Sequence, residues 1–590
     1  MLQFLKYVFA TIVGLILFTV VAIVLLLGVG AAIGSSKELV EVKEKTVLKL
    51  DLDKPIVENV AEDENPLKNL TSFSGNAEKI GLVQIKDILK KAASEKNIKG
   101  IYLQAHYPMA GYAQVEEIRN ALLEFKKSGK FIYSYGEAYS EKGYYLTSVA
   151  DKIYLNPAGG LDFNGISVEY TFFKGTLDKL DIKPVVFRVG EYKSAVEPFI
   201  RENMSDANKA QTTSFINSIN NYVFSNIAKA RGLNVDDLKK VADDLAAYKP
   251  SGALSNKLIT NVGYYDEFES DLKKELKLNS KDEIEFINYS KFLKVKASDE
   301  ASESENKIAI VVGEGEIVGS KGGDGTIGSD DFVKELKKAR DDKKVKAIVL
   351  RIDSPGGSSL ASDVMWREVE LTRKVKPVIA SMGDYAASGG YYMAMAADTI
   401  VAQPTTITGS IGIFAQFFNF ENFLKNKLGI THDRVTTNAH SDFPSVTREL
   451  TDFEKSWFQN SVDQGYETFT GKAAKGRHMS IEKLKSLAGG RVWTGIEAKQ
   501  NGLVDVLGGV QDAVRIAAKK ARLKEGDYGV KYFPKPKSWY EALMNNAEEE
   551  TEAKLLQSQF GELSPYVKEI RKLKSREGIL ALMPYKMELK

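Results

Sequence analysis

Ala347-Ile348-Val349-Leu350 has a counterpart 247 residues earlier, Gly100-Ile101-Tyr102-Leu103, and reading the two together decides the fold. In the same register and without a gap, Pro108 meets Pro355 and Gly136 meets Gly383. Gly143-Tyr144-Tyr145 then meets Gly390-Tyr391-Tyr392, Ala150-Asp151 meets Ala397-Asp398, Pro157 meets Pro404, and Gly165-Ile166 meets Gly412-Ile413. One register held over roughly 65 residues indicates that the chain contains the same fold twice. Each copy reads as short Ile/Val-rich strands alternating with amphipathic helices. In the second copy the strands fall at 307–312 and 347–352 and the helices at 330–341 and 361–374. That alternation predicts an α/β class with mainly parallel strands.

The boundaries follow from composition. Residues 1–36 form an apolar N-terminal segment, 37–300 the first copy, 301–525 the second and 526–590 a charged tail. The copies divide at the polar run 297–306. The tail, 538–574 above all, is charged and helix-prone, and it is followed by the apolar patch Gly578-Ile579-Leu580-Ala581-Leu582-Met583. No residue between Lys6 and Lys37 is charged. A spanning helix needs about 20 apolar residues, against about 7–15 in a cleavable signal. The reading is an uncleaved anchor, with Val29-Gly30-Ala31 as the one stretch resembling a cleavage site. Lys37, Lys43 and Lys45 on the far flank weaken the positive-inside argument. The short N-terminal stub puts the bulk of the chain outside the cytoplasm.

Across 590 residues, 81 basic side chains oppose 79 acidic ones, for a net charge of +2, so there is no global footprint for nucleic acid. Cysteine is absent, which excludes disulfides and thiol nucleophiles. The four histidines, His106, His432, His440 and His478, leave little from which to build a histidine triad or a multi-histidine metal site. Neither a metal nor a cofactor is expected.

Function is sought where the repeat is broken. Ser388, in Ala386-Ala387-Ser388-Gly389-Gly390, aligns with Glu141, and Gly356-Gly357 align with Met109-Ala110. The second copy alone has an exposed hydroxyl among small residues, where a substrate carbonyl can approach to about 3 Å. Taken alone, the corner is either a tight turn or the seat of a nucleophile. Ser354-Pro355-Gly356-Gly357 is either a plain turn or, through the amides of Gly357 and Gly389, an oxyanion site. A serine needs a base, and with histidine scarce a lysine is the substitute. Lys193 follows the apolar run Val185-Val186-Phe187 of the first copy, and the second copy has no lysine at the matching place. At a pKa of about 10.4 roughly one lysine in 2,500 is neutral at pH 7, so burial must lower the value by roughly 2–3.

These residues carry a resemblance. Residues 188–199, Arg-Val-Gly-Glu-Tyr-Lys-Ser-Ala-Val-Glu-Pro-Phe, resemble the lysine motif of the long, two-repeat form of the bacterial signal peptide peptidase A (protease IV) family. Residues 382–391, Met-Gly-Asp-Tyr-Ala-Ala-Ser-Gly-Gly-Tyr, resemble its serine motif. Gly490-Arg491-Val492-Trp493-Thr494-Gly495 and Gly502-Leu503-Val504-Asp505 resemble its C-terminal signature. The resemblance implies two tandem crotonase/ClpP-like domains and a Ser–Lys dyad split between them. Ser388 is then the nucleophile, Lys193 the general base, Gly357 and Gly389 the oxyanion donors, and Ser410 a group that orients the lysine. It further implies a homotetramer in the bacterial inner membrane, catalytic domains on the periplasmic side, that degrades signal peptides and other hydrophobic peptides. A crotonase-type acyl-CoA enzyme and a catalytically silent membrane scaffold are the alternatives.

Two motifs are decoys. Gly323-Asp324-Gly325-Thr326-Ile327-Gly328 matches a dinucleotide fingerprint but lies about ten residues past its strand. Ser480-Ile481-Glu482-Lys483 matches S-x-x-K but reads as a helix cap.

Overall fold

The computed structural model describes residues 2–34, 41–60, 79–295, 304–323, 325–534 and 578–583. Residues 61–78, most of the linker 297–306 and the helix-prone stretch 538–574 lie outside them. Leu2–Gly34 forms one helix of 33 residues. Its side chains at 22–34 are outside the description. Among the described residues no helix is long and apolar enough to cross a membrane.

The repeat reappears as sheet topology. In the first copy a parallel sheet runs in the order Asn261–Val262, Lys152–Leu161, Phe131–Tyr139, Ile98–Gln104, Thr46–Asp51, Phe286–Asn288. In the second, six strands of an eight-stranded sheet run in the order Val506–Leu507, Thr399–Ala402, Val378–Ala387, Val345–Ser354, Lys307–Glu314, Gly529–Phe533, while Ile407–Gly409 pairs parallel with the end of Val378–Ala387 and antiparallel with Val492–Thr494. The six shared strands follow the same order in both copies, and the chain is two tandem α/β domains of one fold. Such strands are sheathed on both faces, so they read as continuous apolar runs rather than alternating ones. In Val345–Ser354 the stretch Ala347 to Ile352 is wholly buried. The covering helices are amphipathic: Ser329–Asp341 turns Phe332, Leu336 and Ala339 inward at helical spacing. The tail expected to be helical from 526 instead supplies strand Gly529–Phe533, whose Val530, Tyr532 and Phe533 suit the edge of the second sheet.

A third sheet joins the copies. Lys183–Arg188 of the first copy pairs antiparallel with Phe414–Asn419 of the second, from Arg188 opposite Phe414 to Lys183 opposite Asn419. The order continues through Gly578–Leu582, Gly356–Ser358, Glu316–Val318 and Thr326–Gly328. Beneath it the interface is polar and buried. Arg351 of the second copy reaches Glu58 at 2.7 Å and Glu117 at 2.8 Å, both of the first, and Asp384 accepts from the amide of Ala113 at 2.8 Å. Pairs so deeply desolvated fix the register between the copies, and losing one partner leaves a buried charge exposed to no solvent.

Candidate active site

The lysine reaches the second copy because its strand does. After Arg188 the chain turns at Gly190, whose φ is +93°, and enters a short turn of 3₁₀ helix, Ser194–Val196. Gln211, on helix Asp206–Arg231, donates to the carbonyl of Tyr192 and the hydroxyl of Ser194 and accepts from the amide of Val492. Glu197, also buried, ties the end of the loop to Ser205 and Asn208. From the other side Gly490 lies flat against the lysine backbone. A methyl group there would stand 2.7 Å from Lys193 Cα and Cβ. Lys193 is completely buried, and its Nζ lies 2.8 Å from Ser388 Oγ, 3.0 Å from the Ser410 carbonyl oxygen and 3.1 Å from Ser410 Oγ. As a neutral amine Lys193 has two N–H donors for the two Ser410 oxygens and a lone pair left to accept the Ser388 hydroxyl proton. Burial pushes the pKa of this lysine well below 10.5, and no carboxylate acts to restore it.

Ser388 ends the long strand Val378–Ala387 and caps helix Gly389–Ala394. Its φ of +54° with ψ of −110° is a conformation that L-residues avoid. The amide of Ser388 bonded to the Gly409 carbonyl at 2.8 Å holds it there. Ser410 also has a positive φ, +48°, so both hydroxyls that meet the lysine sit on strained corners. The hydroxyl expected to be exposed is fully buried, and only glycine fits beside it: a methyl on Gly389 would be 2.5 Å from Ser362 Oγ, and one on Gly390 would be 2.7 Å from the Ser354 carbonyl. Gly356–Ser358 runs beside this corner, and a methyl on Gly356 would sit 2.7 Å from the Gly389 amide nitrogen.

All five residues singled out in the sequence therefore fall in one place, with Lys193, Ser388 and Ser410 in direct contact and Gly357 and Gly389 bordering the same corner. The first copy shows what the fold does without a serine. Glu141, at the matching position, accepts from the amides of Asn164 at 3.0 Å and Gly165 at 2.7 Å, and burial raises its pKa to about 6. Its carboxylate fills the loop equivalent to the one where Lys193 meets Ser410. Sequence reading missed Gln211 and the part played by Gly490. The glycine was visible in its motif, while nothing marked Gln211 among the polar residues of a long helix. Ser480 caps helix Ile481–Leu487 by accepting from the Lys483 amide, as its decoy reading had it.

A hydroxyl on a strained corner, bonded to a buried amine with glycine backbone close by, is an arrangement suited to a serine hydrolase. Comparison with known proteins gives the particular family. The pattern of Peptidase family S49 matches residues 124–279 and 370–524, once in each copy. The chain belongs to peptidase family S49 and is a serine peptidase. It is 35% identical over 540 residues to Protease 4 of Haemophilus influenzae, spanning 87% of this chain and 85% of that one. Protease 4 of Salmonella typhi is 37% identical over 461 residues, 75% of this chain and 72% of its own. The chloroplastic serine protease SPPA of Arabidopsis thaliana is 35% identical over 450 residues, 75% of this chain and 66% of its own.

Proposed function

We propose that the protein is a membrane-anchored endopeptidase that cleaves signal peptides and other hydrophobic peptides through a Ser388–Lys193 dyad. The observation that carries this reading is the 2.8 Å contact between Lys193 Nζ and Ser388 Oγ, made where both side chains are fully buried. Neutral Lys193 takes the hydroxyl proton as Ser388 Oγ attacks the peptide carbonyl. The amides of Gly357 and Gly389 hold the resulting oxyanion, a contribution of about 3–4 kcal/mol for such donors. Lys193 then returns the proton to the departing amine, and water hydrolyses the acyl ester by the same route. Ser410, through its carbonyl and hydroxyl, aims Nζ at Ser388.

The anchor is supported by the uncharged run between Lys6 and Lys37 and by its helical backbone. At about 1.5 Å per residue that helix is longer than a hydrocarbon core of about 30 Å is thick. We place the enzyme in a bacterial inner membrane as a homotetramer with its catalytic copies on the periplasmic face. The test is digestion of a synthetic signal-sequence peptide by the detergent-solubilised protein, followed by mass spectrometry. Internal cleavage that disappears in Ser388→Ala is expected. An intact peptide, or cleavage that persists in Ser388→Ala, would refute the reading.

A further inference from the structure

Three consecutive residues of the second copy, Gly489, Gly490 and Arg491, border the lysine. The Gly489 carbonyl accepts from the Tyr192 amide at 3.1 Å, and Gly490 lies against the backbone of Lys193. The Arg491 carbonyl accepts from the Ser410 amide at 2.7 Å, which holds the corner that receives Nζ. The Arg491 side chain has a different task. Its guanidinium carbon stands 4.0 Å from the centre of the Trp493 ring and 5.2 Å from that of Tyr192, the residue before the lysine. Its Nε is buried and has no hydrogen-bond partner among the described residues. A buried N–H left unpaired is costly, and an unbranched apolar chain such as methionine would fill the space without that cost. What a planar cation gains here is the faces of two rings, an attraction that strengthens as water is removed.

The two rings belong to different copies. Trp493 is fixed in the second: its Nε1 donates to the Leu487 carbonyl at 3.1 Å, and its strand pairs with Ile407–Gly409. Tyr192 belongs to the first, on the loop that follows Lys183–Arg188. Gln211 holds the Tyr192 carbonyl, while Arg491 meets the ring. We propose that Arg491 is a positioning residue for the general base: its guanidinium clamps the ring of Tyr192 to that of Trp493, and so pins the loop that carries Lys193 to the copy that carries Ser388. The proposal rests on the reading of Lys193 as the base. The clamp sets where Nζ stands. It touches neither the peptide nor the moving proton, so it acts on kcat and leaves KM in place. Burial is what lowers the lysine pKa, so the acid limb of the pH profile stays as well.

A cation stacked on desolvated rings contributes a factor of about 30, and that is the expected fall in kcat for full-length Arg491→Met on a hydrophobic peptide, with KM and the acid limb unmoved. Tyr192→Leu should lose a similar factor, and the double variant should be no slower than either single one, since one clamp is lost only once. Tyr192 is half-buried on a loop, so Tyr192→Leu keeps the test open if Arg491→Met does not fold. In Arg491→Ala, millimolar guanidinium ion should restore turnover and sodium ion at equal ionic strength should not, a selectivity that a space-filling side chain would not confer. Turnover of Arg491→Met near that of the unaltered enzyme, losses that multiply in the double variant, or a rescue that sodium ion matches overturns the proposal. Hydrogen exchange separates this from failure of the dyad. Residues 189–196 should exchange faster in Arg491→Met, whatever group serves as base. Unchanged exchange refutes the clamp, and faster exchange with undiminished kcat refutes the base reading on which the proposal stands.

Discussion

Replacing Gly490 by alanine tests whether the lysine must be held where it is. The added methyl would meet Lys193 N at 2.6 Å and Lys193 Cα and Cβ at 2.7 Å. Carbon atoms settle at about 3.5–4.0 Å, so the lysine loop must retreat by roughly 0.8 Å or more. Backbone cannot swing aside as a side-chain tip can. Misplacing a catalytic group by about 1 Å costs on the order of 10²-fold, and that is the expected loss in kcat. Gly490 also has φ of +86°, so alanine adds backbone strain of about 1–3 kcal/mol. Gly489 supplies the control. Its φ is +67°, but a methyl there would meet nothing closer than Gly190 Cα at 3.7 Å. Gly489→Ala should therefore lose comparable stability in a denaturant titration and keep most of its turnover. Equal kcat in the two variants would refute the claim that Gly490 positions the lysine.

Other outcomes follow from the same geometry. Ser410→Ala removes one of three partners of Nζ; a hydrogen bond to the ammonium that forms as the serine proton moves is worth about 1.5–3 kcal/mol, so kcat should fall by roughly 10- to 150-fold with KM nearly unchanged, read from steady-state kinetics on a hydrophobic peptide. The pH profile has a definite sign: burial lowers the lysine pKa, the neutral amine is the base, and activity is lost as pH falls through that lowered value. The acid limb should thus lie well below 10.5, and a limb at or above 10.5 would contradict a buried lysine as the base. Arg351→Met strands Glu58 and leaves Glu117 with Lys86 alone at the interface of the copies, and should cost about 3–5 kcal/mol in chemical denaturation, far more than substitution of an exposed arginine such as Arg515.

The repeat was legible because buried parallel strands and tight helix–sheet corners tolerate few residue types, so Gly390-Tyr391-Tyr392 and its partner stay alike. The serine was legible for the opposite reason: Glu141 stands where it would be if the fold alone required it. The lysine was harder. Nothing local distinguishes Lys193 from other lysines, since its role depends on Lys183–Arg188 crossing to pair with Phe414–Asn419, and strand pairing between distant segments leaves no periodicity to read. The resemblance to a family motif supplied it. The patch Gly578 to Met583 was visible as apolar, but not its place, because a strand inserted between two others is set by tertiary pairing. Arg351 illustrates the same limit: an arginine inside an Ile/Val strand signals burial against partners, and Glu58 lies 293 residues away.

The most direct test of the dyad is single-turnover cleavage of a hydrophobic peptide by Lys193→Met beside Ser388→Ala and the double variant, each checked for native structure by circular dichroism. The account predicts that Lys193→Met loses about 10²–10⁴-fold or more, and that the double variant is no slower than Ser388→Ala, because two groups acting as one unit cannot be lost twice. Turnover of Lys193→Met near that of the unaltered enzyme would contradict it.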